Sequence, residues 1–100
     1  MEYIVTPTTW KWEDLKIKDM SRQHHYLKTE TEYFQAIESG KKKFELRKND
    51  RDYKVHDIIY LEETVNTVKT GRIISGLEIQ YILYECPFGG LEEGYCIINW

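Results

Sequence analysis

Charged side chains alternate with apolar ones in one short segment of the chain, SGKKKFELRKNDRD (residues 39–52). If the apolar residues of this segment pack inward from a strand, Glu45 and Arg47 share its other face about 7 Å apart, and Lys42 joins them from the strand's edge. The three side chains would then present donors and an acceptor together, which suits a base edge plus a phosphate. The alternative is a solvated salt-bridge cluster, which contributes little to stability.

The same alternation predicts that Phe44 and Leu46 belong to the core. Phe44→Ala is then expected to cost about 3–5 kcal/mol by forming a cavity. Glu45→Ala should cost far less unless its cations are buried. An exposed Phe44 would reverse the strand and overturn the predicted cleft site of Glu45 and Arg47.

Other residues are weaker candidates for the same site. Lys28 and Arg51 would extend a positive rim, whereas Lys41 and Lys43 are more typical of solvated charge. Two tyrosines could stack on bases, although tyrosines in strands more often pack in a core: Tyr81 and Tyr84.

The histidines and cysteines have neither the spacing of metal ligands nor that of a local nucleophile and base. They are His24, His25, His56, Cys86 and Cys96. We therefore predict no metal and no cofactor.

Composition narrows the setting. One hundred residues with 41% hydrophobic content suit one globular domain. The net charge of −3 means that any contact with nucleic acid depends on a local basic patch. No apolar run reaches the roughly 20 residues of a membrane span, and the N-terminus has no signal-peptide pattern. With two cysteines, a reduced, cytoplasmic protein is the expected class.

The pattern predicts one main helix, at about residues 30–39. Thr29 and Glu32 fit a capping box at its start, and Gly40 fits a C′ residue with positive φ at its end. Gly76 indicates a bulge within a long strand. Strands are predicted at residues 24–28, 43–47, 57–63 and 72–85, and in YCIINW at the end of the chain. These elements predict an α+β domain whose sheet curls into a barrel.

The spacing G-x-K-x-x-E-x-R, here Gly40, Lys42, Glu45 and Arg47, resembles the signature of activating signal cointegrator homology (ASCH) domains, which share the PUA-like β-barrel superfold. A wider resemblance, over residues 24–99, is to a bacterial and phage branch of that group, the domain of unknown function 3850. It is carried by HHYLKTETEYFQAIESGKKKFELRKNDRDYKVHDIIYLEE and by FGGLEEGYCII.

One position departs from this family. His56 stands where its members usually have a glycine before the aspartate, which puts the geometry of that turn in question.

This resemblance implies a PUA-like barrel with a cleft beside the first helix, lined by Lys42, Glu45 and Arg47, and it favours an RNA- or nucleotide-binding module. Some ASCH proteins are amidohydrolases that act on modified cytidine with a lysine, a threonine and a glutamate. Lys42 matches that lysine, but Glu45 occupies the threonine position, and the third residue has no match.

Two regions and three classes of function follow. Residues 1–23, with Trp10 and Trp12, are predicted to be an N-terminal extension, and residues 24–100 the ASCH-like domain. The extension would cover either a sheet edge or the cleft. A binding module is expected to show salt-dependent affinity without turnover, and a small hydrolase to turn over a modified nucleoside. A protein–protein adaptor is the third possibility.

Overall fold

The computed structural model describes residues 22–100, which form one helix and six strands arranged in two sheets of three strands. The predicted extension, with its tryptophans, lies outside the described residues except for Arg22 and Gln23. The elements are β1 (His24–Glu30), α1 (Thr31–Glu38), β2 (Phe44–Lys48), β3 (Ile58–Val65), β4 (Val68–Glu78), β5 (Tyr81–Leu83) and β6 (Tyr95–Asn99).

The first sheet has the strand order β1-β3-β4, with β1 parallel to β3 and β4 antiparallel to β3. Parallel pairing of β1 and β3 requires a crossover, which α1 and β2 provide. The β3–β4 hairpin turns at Asn66 and Thr67, which both have positive φ, as a tight two-residue turn demands. The carboxylate of Glu30 accepts the backbone N–H of each, at 3.0 Å.

The predicted bulge at Gly76 is confirmed. Ser75 and Gly76 on β4 together lie opposite Tyr60 on β3, and Gly76 has a φ of +76°. An extra residue of this kind bends the strand and increases its twist.

The second sheet has the order β2-β6-β5 and is antiparallel throughout. Side chains of both sheets and of α1 form one shared core. Its fully buried members include Leu27, Phe34, Tyr53, Ile59, Leu61, Ile79, Cys96 and Ile98. The core therefore joins the two sheets into one α+β unit.

The helix is confirmed, but its predicted capping box is wrong. Glu30 is the N-cap residue and makes no capping hydrogen bond, since its carboxylate holds the β3–β4 turn instead. Thr29 is a buried residue of β1. At the other end, Gly40 has a φ of +83°. Gly40 N donates to Ile37 O and Lys41 N to Ala36 O, which is a Schellman motif as the glycine predicts.

The predicted orientation of β2 is wrong, although its alternation is right. Phe44 and Leu46 are 47% and 57% exposed, and Glu45 is only 7% exposed. Alternation fixes the period of a strand but not which face meets the core. The inner face of β2 is the one that carries Glu45 and Arg47, because β1 offers polar partners to that face.

In residues 22–100 the two sheets do not close into a barrel, contrary to the predicted curl. No described strand pairs with the outer edge of β1. Two arginine side chains reach that edge instead: Arg47 donates to Lys28 O at 2.6 Å and Arg51 to Tyr26 O at 3.2 Å. Side-chain donors therefore occupy carbonyls that a neighbouring strand would need for barrel closure.

The reversed strand changes the expected effect of two substitutions. Phe34→Ala should lower the free energy of unfolding by about 3–5 kcal/mol, because Phe34 is fully buried and its loss leaves a cavity. Phe44→Ala should cost about 1 kcal/mol or less, because roughly half of its surface already meets water. Urea denaturation of both variants checks this ranking, and equal losses would contradict the observed orientation of β2.

Candidate functional site

The carboxylate of Glu45 lies between the side chains of Lys42 and Arg47. Its Oε1 accepts a hydrogen bond from Lys42 Nζ, and its Oε2 accepts from Arg47 Nε at 3.2 Å and Nη2 at 3.0 Å. The Lys42 and Arg47 side chains are 17% and 23% exposed. The structure therefore brings the three charged residues of the signature together as one group, the Glu45 cluster (Lys42, Glu45 and Arg47). The two cations are more buried than those of a typical surface ion pair.

The turn after α1 sets the position of Lys42. Lys42 N joins Lys41 N in donating to Ala36 O, at 3.0 Å, so the backbone is fixed up to this residue. Lys42 Nζ also donates to Phe44 O at 2.6 Å and lies over the Phe44 ring, 4.8 Å from its centroid. The contact with Phe44 therefore helps to fix the position of the Lys42 ammonium group.

Arg47 connects the second sheet to the first. Besides its contacts with Glu45, its Nη2 donates to Lys28 O at 2.6 Å and to Thr29 Oγ1 at 3.1 Å. Thr29 was not predicted as part of the site. Its place on the buried face of β1, two residues after Leu27, is a signal in the sequence that could have found it.

The two rim candidates lie at the edge of β1. Lys28 has an exposed side chain, and its carbonyl oxygen is the one that Arg47 contacts. Arg51 is exposed and donates through Nη1 to Tyr26 O at 3.2 Å. Lys41 and Lys43 are exposed, as predicted for solvated charge. Lys28 therefore contacts the Glu45 cluster through its carbonyl oxygen, which accepts from Arg47. Arg51 lies nearby on the same edge of β1.

A second buried carboxylate, Glu63, is the register partner of Thr29 in the parallel pair. It accepts from Thr31 Oγ1 at 2.7 Å and from Thr70 Oγ1 at 2.6 Å. The hydrogen bond from Thr70 and then that from Thr31 lower the pKa of Glu63, with a smaller contribution from Arg72. Sequence reasoning missed Glu63, although it follows Ile59 and Leu61 on the same face of β3.

A buried pair, His25 and Asp57, lies at the other end of the first sheet. His25 Nε2 is 2.9 Å from Asp57 Oδ2, and the Asp57 carboxylate also accepts the backbone N–H groups of Gln23 and Lys54. Asp57 contributes to a surface pocket of about 700 Å³. This pair ties the start of β1 to the turn before β3.

The predicted cleft lined by the signature does not coincide with either of two surface pockets formed by the described residues. The 700 Å³ pocket is lined by residues of the segments 22–23, 52–57 and 78, and a pocket of about 500 Å³ lies beside residues 84–86 and 91–95. Neither pocket includes Lys42, Glu45 or Arg47. The signature forms a compact cluster because its polar face points inward.

The remaining candidates are scattered. His24 contacts Tyr60. His56 has a φ of +80°, a left-handed conformation that favours glycine, and its Nδ1 is 2.7 Å from Glu78 Oε2. Burial raises the pKa of the Cys96 thiol. Tyr84 donates to Tyr53 O, Tyr81 is exposed, and Cys86 is half-buried. In the described part of the chain, no three His, Cys, Asp or Glu residues cluster as metal ligands would.

Comparison with known proteins identifies the family of the chain. A profile described as a domain of unknown function (DUF3850) matches residues 24–100. The chain belongs to the DUF3850 family. It is also 42% identical over 53 residues to an uncharacterized 12.9 kDa protein in the GpA 3′ region of Escherichia phage P2. That match covers 53% of this chain and 49% of the phage protein, so the chain spans about half the length of this curated relative.

Among residues 22–100, no helix has the length and hydropathy needed to cross a bilayer.

Removing the Glu45 carboxylate should destabilise this DUF3850 domain. Glu45→Ala leaves two partly buried cations without their shared acceptor, which we expect to cost about 3 kcal/mol. Glu92→Ala, at an exposed loop position, is the matched control and should cost less than about 0.5 kcal/mol. Chemical denaturation at neutral pH measures both. Equal stability of the two variants would mean that the cluster contributes no more than a surface ion pair.

The pKa of Glu63 predicts a specific dependence on pH. Since this pKa is lower in the folded state than the unfolded value of about 4.3, ionised Glu63 stabilises the fold above that pH. The contribution should disappear as the pH falls through the folded-state pKa. Urea midpoints of the wild type and Glu63→Gln should therefore converge as the pH falls below about 5. Glu93→Gln, an exposed control, should follow the wild type, and a difference for Glu63→Gln that is independent of pH would contradict this role.

Proposed function

We propose that this DUF3850 domain is an RNA- or nucleotide-binding module whose binding surface lies along the outer edge of β1. The observation that carries the proposal is the convergence of Arg47 and Arg51 on the backbone of β1, beside the exposed side chain of Lys28. This groups three cations in a chain with a net charge of −3. A local basic patch is the feature that phosphate binding requires in an acidic protein.

Within this surface the signature residues have different roles. Glu45 is buried and both of its oxygens accept from cations, so it positions Lys42 and Arg47 rather than reading a base edge. Arg47 contacts the described residues through Nε and Nη2, and its Nη1 donors make no hydrogen bond with residues 22–100. Those donors and the side chains of Lys28 and Arg51 would contact phosphate.

We further propose that the family belongs with the ASCH domains of the PUA-like superfold. Support comes from the sequence signature, which begins at the Schellman glycine of α1 and runs into β2, and from the shared core of two small sheets. The amidohydrolase chemistry of some ASCH proteins is the alternative function, with Lys42 as its one matching residue. Incubation with modified nucleosides and product detection by chromatography separates that alternative from binding alone.

Removing the rim cations tests the binding module. Contact with two or three phosphates of a single strand gives a plot of log K against log salt with a slope of about −1.4 to −2.1. Lys28→Gln and Arg51→Gln should each weaken the binding of a short RNA and flatten this slope by about 0.7. Lys48→Gln is the matched control, since Lys48 is an exposed cation next to Arg47 in sequence but on the opposite face of β2. Fluorescence anisotropy with a labelled RNA at several salt concentrations measures all four proteins.

Two results would contradict the proposal. One is that neither short RNA nor any free nucleotide binds the wild-type protein. The other is that Lys48→Gln reduces affinity as much as the two rim substitutions do, because binding would then follow net charge rather than this surface.

A further inference from the structure

Three aromatic rings lie together on the outer face of the first sheet, next to the proposed binding surface. The Tyr26 and Tyr60 rings are nearly parallel, with centroids 4.4 Å apart and 10° between their planes. His24 stacks on Tyr60 at 5.7 Å, and its Nδ1 is 2.9 Å from the Tyr60 hydroxyl. We name this group the aromatic stack: His24, Tyr26 and Tyr60.

One end of the aromatic stack is open. Tyr26 is 55% exposed, and its register partner Tyr60 covers the side of the ring that faces β3. β1 is an edge strand of this sheet, so no strand of residues 22–100 lies on the side of Tyr26 that is away from β3. A planar group could therefore extend the stack by one member at that edge.

Cations flank this open ring. Lys28 is the next residue on the same face of β1, about 7 Å along the strand from Tyr26. Arg51 Nη1 is 3.2 Å from the carbonyl oxygen of Tyr26 itself. Glu62, the register partner of Lys28, is paired with Lys69 at 3.3 Å, which offsets its charge. The surroundings of the ring are therefore basic although the whole chain is acidic.

A cross-strand pair of tyrosines also has a structural use, because such pairs stabilise neighbouring strands. That use accounts for Tyr60, which is half-buried and stacks with both His24 and Tyr26. It does not require an exposed terminal ring between two cations. Proteins that bind single strands combine these two features, with bases stacked on aromatic rings of a sheet and the backbone held by basic side chains.

We propose that the ligand of this surface is a single-stranded nucleic acid, with one base stacked on Tyr26 and the adjoining phosphates held by Lys28 and Arg51. This inference rests on the proposed function and specifies its ligand as a strand rather than a free nucleotide. Stacking on a ring does not depend on the identity of the base, so binding should show little sequence preference.

Substitution of the open ring tests the inference. An eight-nucleotide RNA carrying 2-aminopurine reports binding through its anisotropy and stacking through quenching of its fluorescence. Tyr26→Leu should weaken binding of this RNA by the full chain by about 5- to 150-fold, which is the contribution of one stacked base. It should also reduce the quenching of 2-aminopurine fluorescence. Tyr26→Phe keeps the ring and should retain both signals. The matched control is Tyr81→Leu, because Tyr81 is similarly exposed, at 60%, but belongs to the other sheet.

The outcomes separate this inference from the function on which it rests. If Lys28→Gln and Arg51→Gln weaken binding while Tyr26→Leu behaves like Tyr81→Leu, stacking is wrong and the binding module stands. Equal affinity for uridine monophosphate and for the octamer would likewise overturn the strand as ligand and leave nucleotide binding in place. If the wild type binds neither, both proposals fail. Circular dichroism of each variant confirms that lost binding is not lost folding.

Discussion

The buried carboxylate of Glu45 is the constraint on which the arrangement of the two sheets depends. A charge placed in a protein interior is tolerated only when opposite charges and hydrogen bonds accompany it. Lys42 and Arg47 supply these, and Arg47 in turn contacts the backbone and the Thr29 side chain of β1. Because side chains alternate along a strand, an inward Glu45 forces Phe44 and Leu46 outward. The ion cluster thus sets which face of β2 meets the core.

The same cluster explains how the fold treats the edge of β1. Carbonyl groups two residues apart point to the same side of a strand, and those of Tyr26 and Lys28 accept from Arg51 and Arg47. Exposed strand edges invite pairing with other chains, and charged side chains on an edge discourage it. Two guanidinium groups at this edge serve that purpose. At this edge the described sheets are open rather than closed into a barrel.

These contacts separate the residues that stabilise the fold from those proposed to bind a ligand. The buried Glu45 stabilises the fold and orients the side chains of Lys42 and Arg47. The side chains of Lys28 and Arg51, at the rim of the cluster, remain exposed to solvent. The segment from Arg47 to Arg51 therefore connects stability to the proposed function, because it fixes the β1 edge and brings cations to the open ring of Tyr26. A protein of net charge −3 can then present a basic surface at one place without becoming a general polyanion binder.

Local features of this protein were determined by the sequence itself. The Schellman turn at Gly40, the bulge at Gly76 and the alternation of β2 depend on backbone preferences and side-chain periods within a few residues. The amino-acid sequence alone is therefore sufficient to predict them. The grouping of Lys42, Glu45 and Arg47 also follows from their spacing. The region matched by the DUF3850 family was recognisable from the motifs alone.

Only the tertiary structure decided which face of β2 is buried, that Thr29 joins Arg47 instead of capping α1, and that Glu63 lies beside Thr29. Each of these outcomes depends on a partner 18 to 34 residues away. A strand whose two faces are apolar and charged would normally bury the apolar one. Here the charged face of β2 is buried because Glu45 pairs with Lys42 and Arg47, and Arg47 also finds acceptors on β1. A pattern of a few neighbouring residues cannot reveal those acceptors on β1.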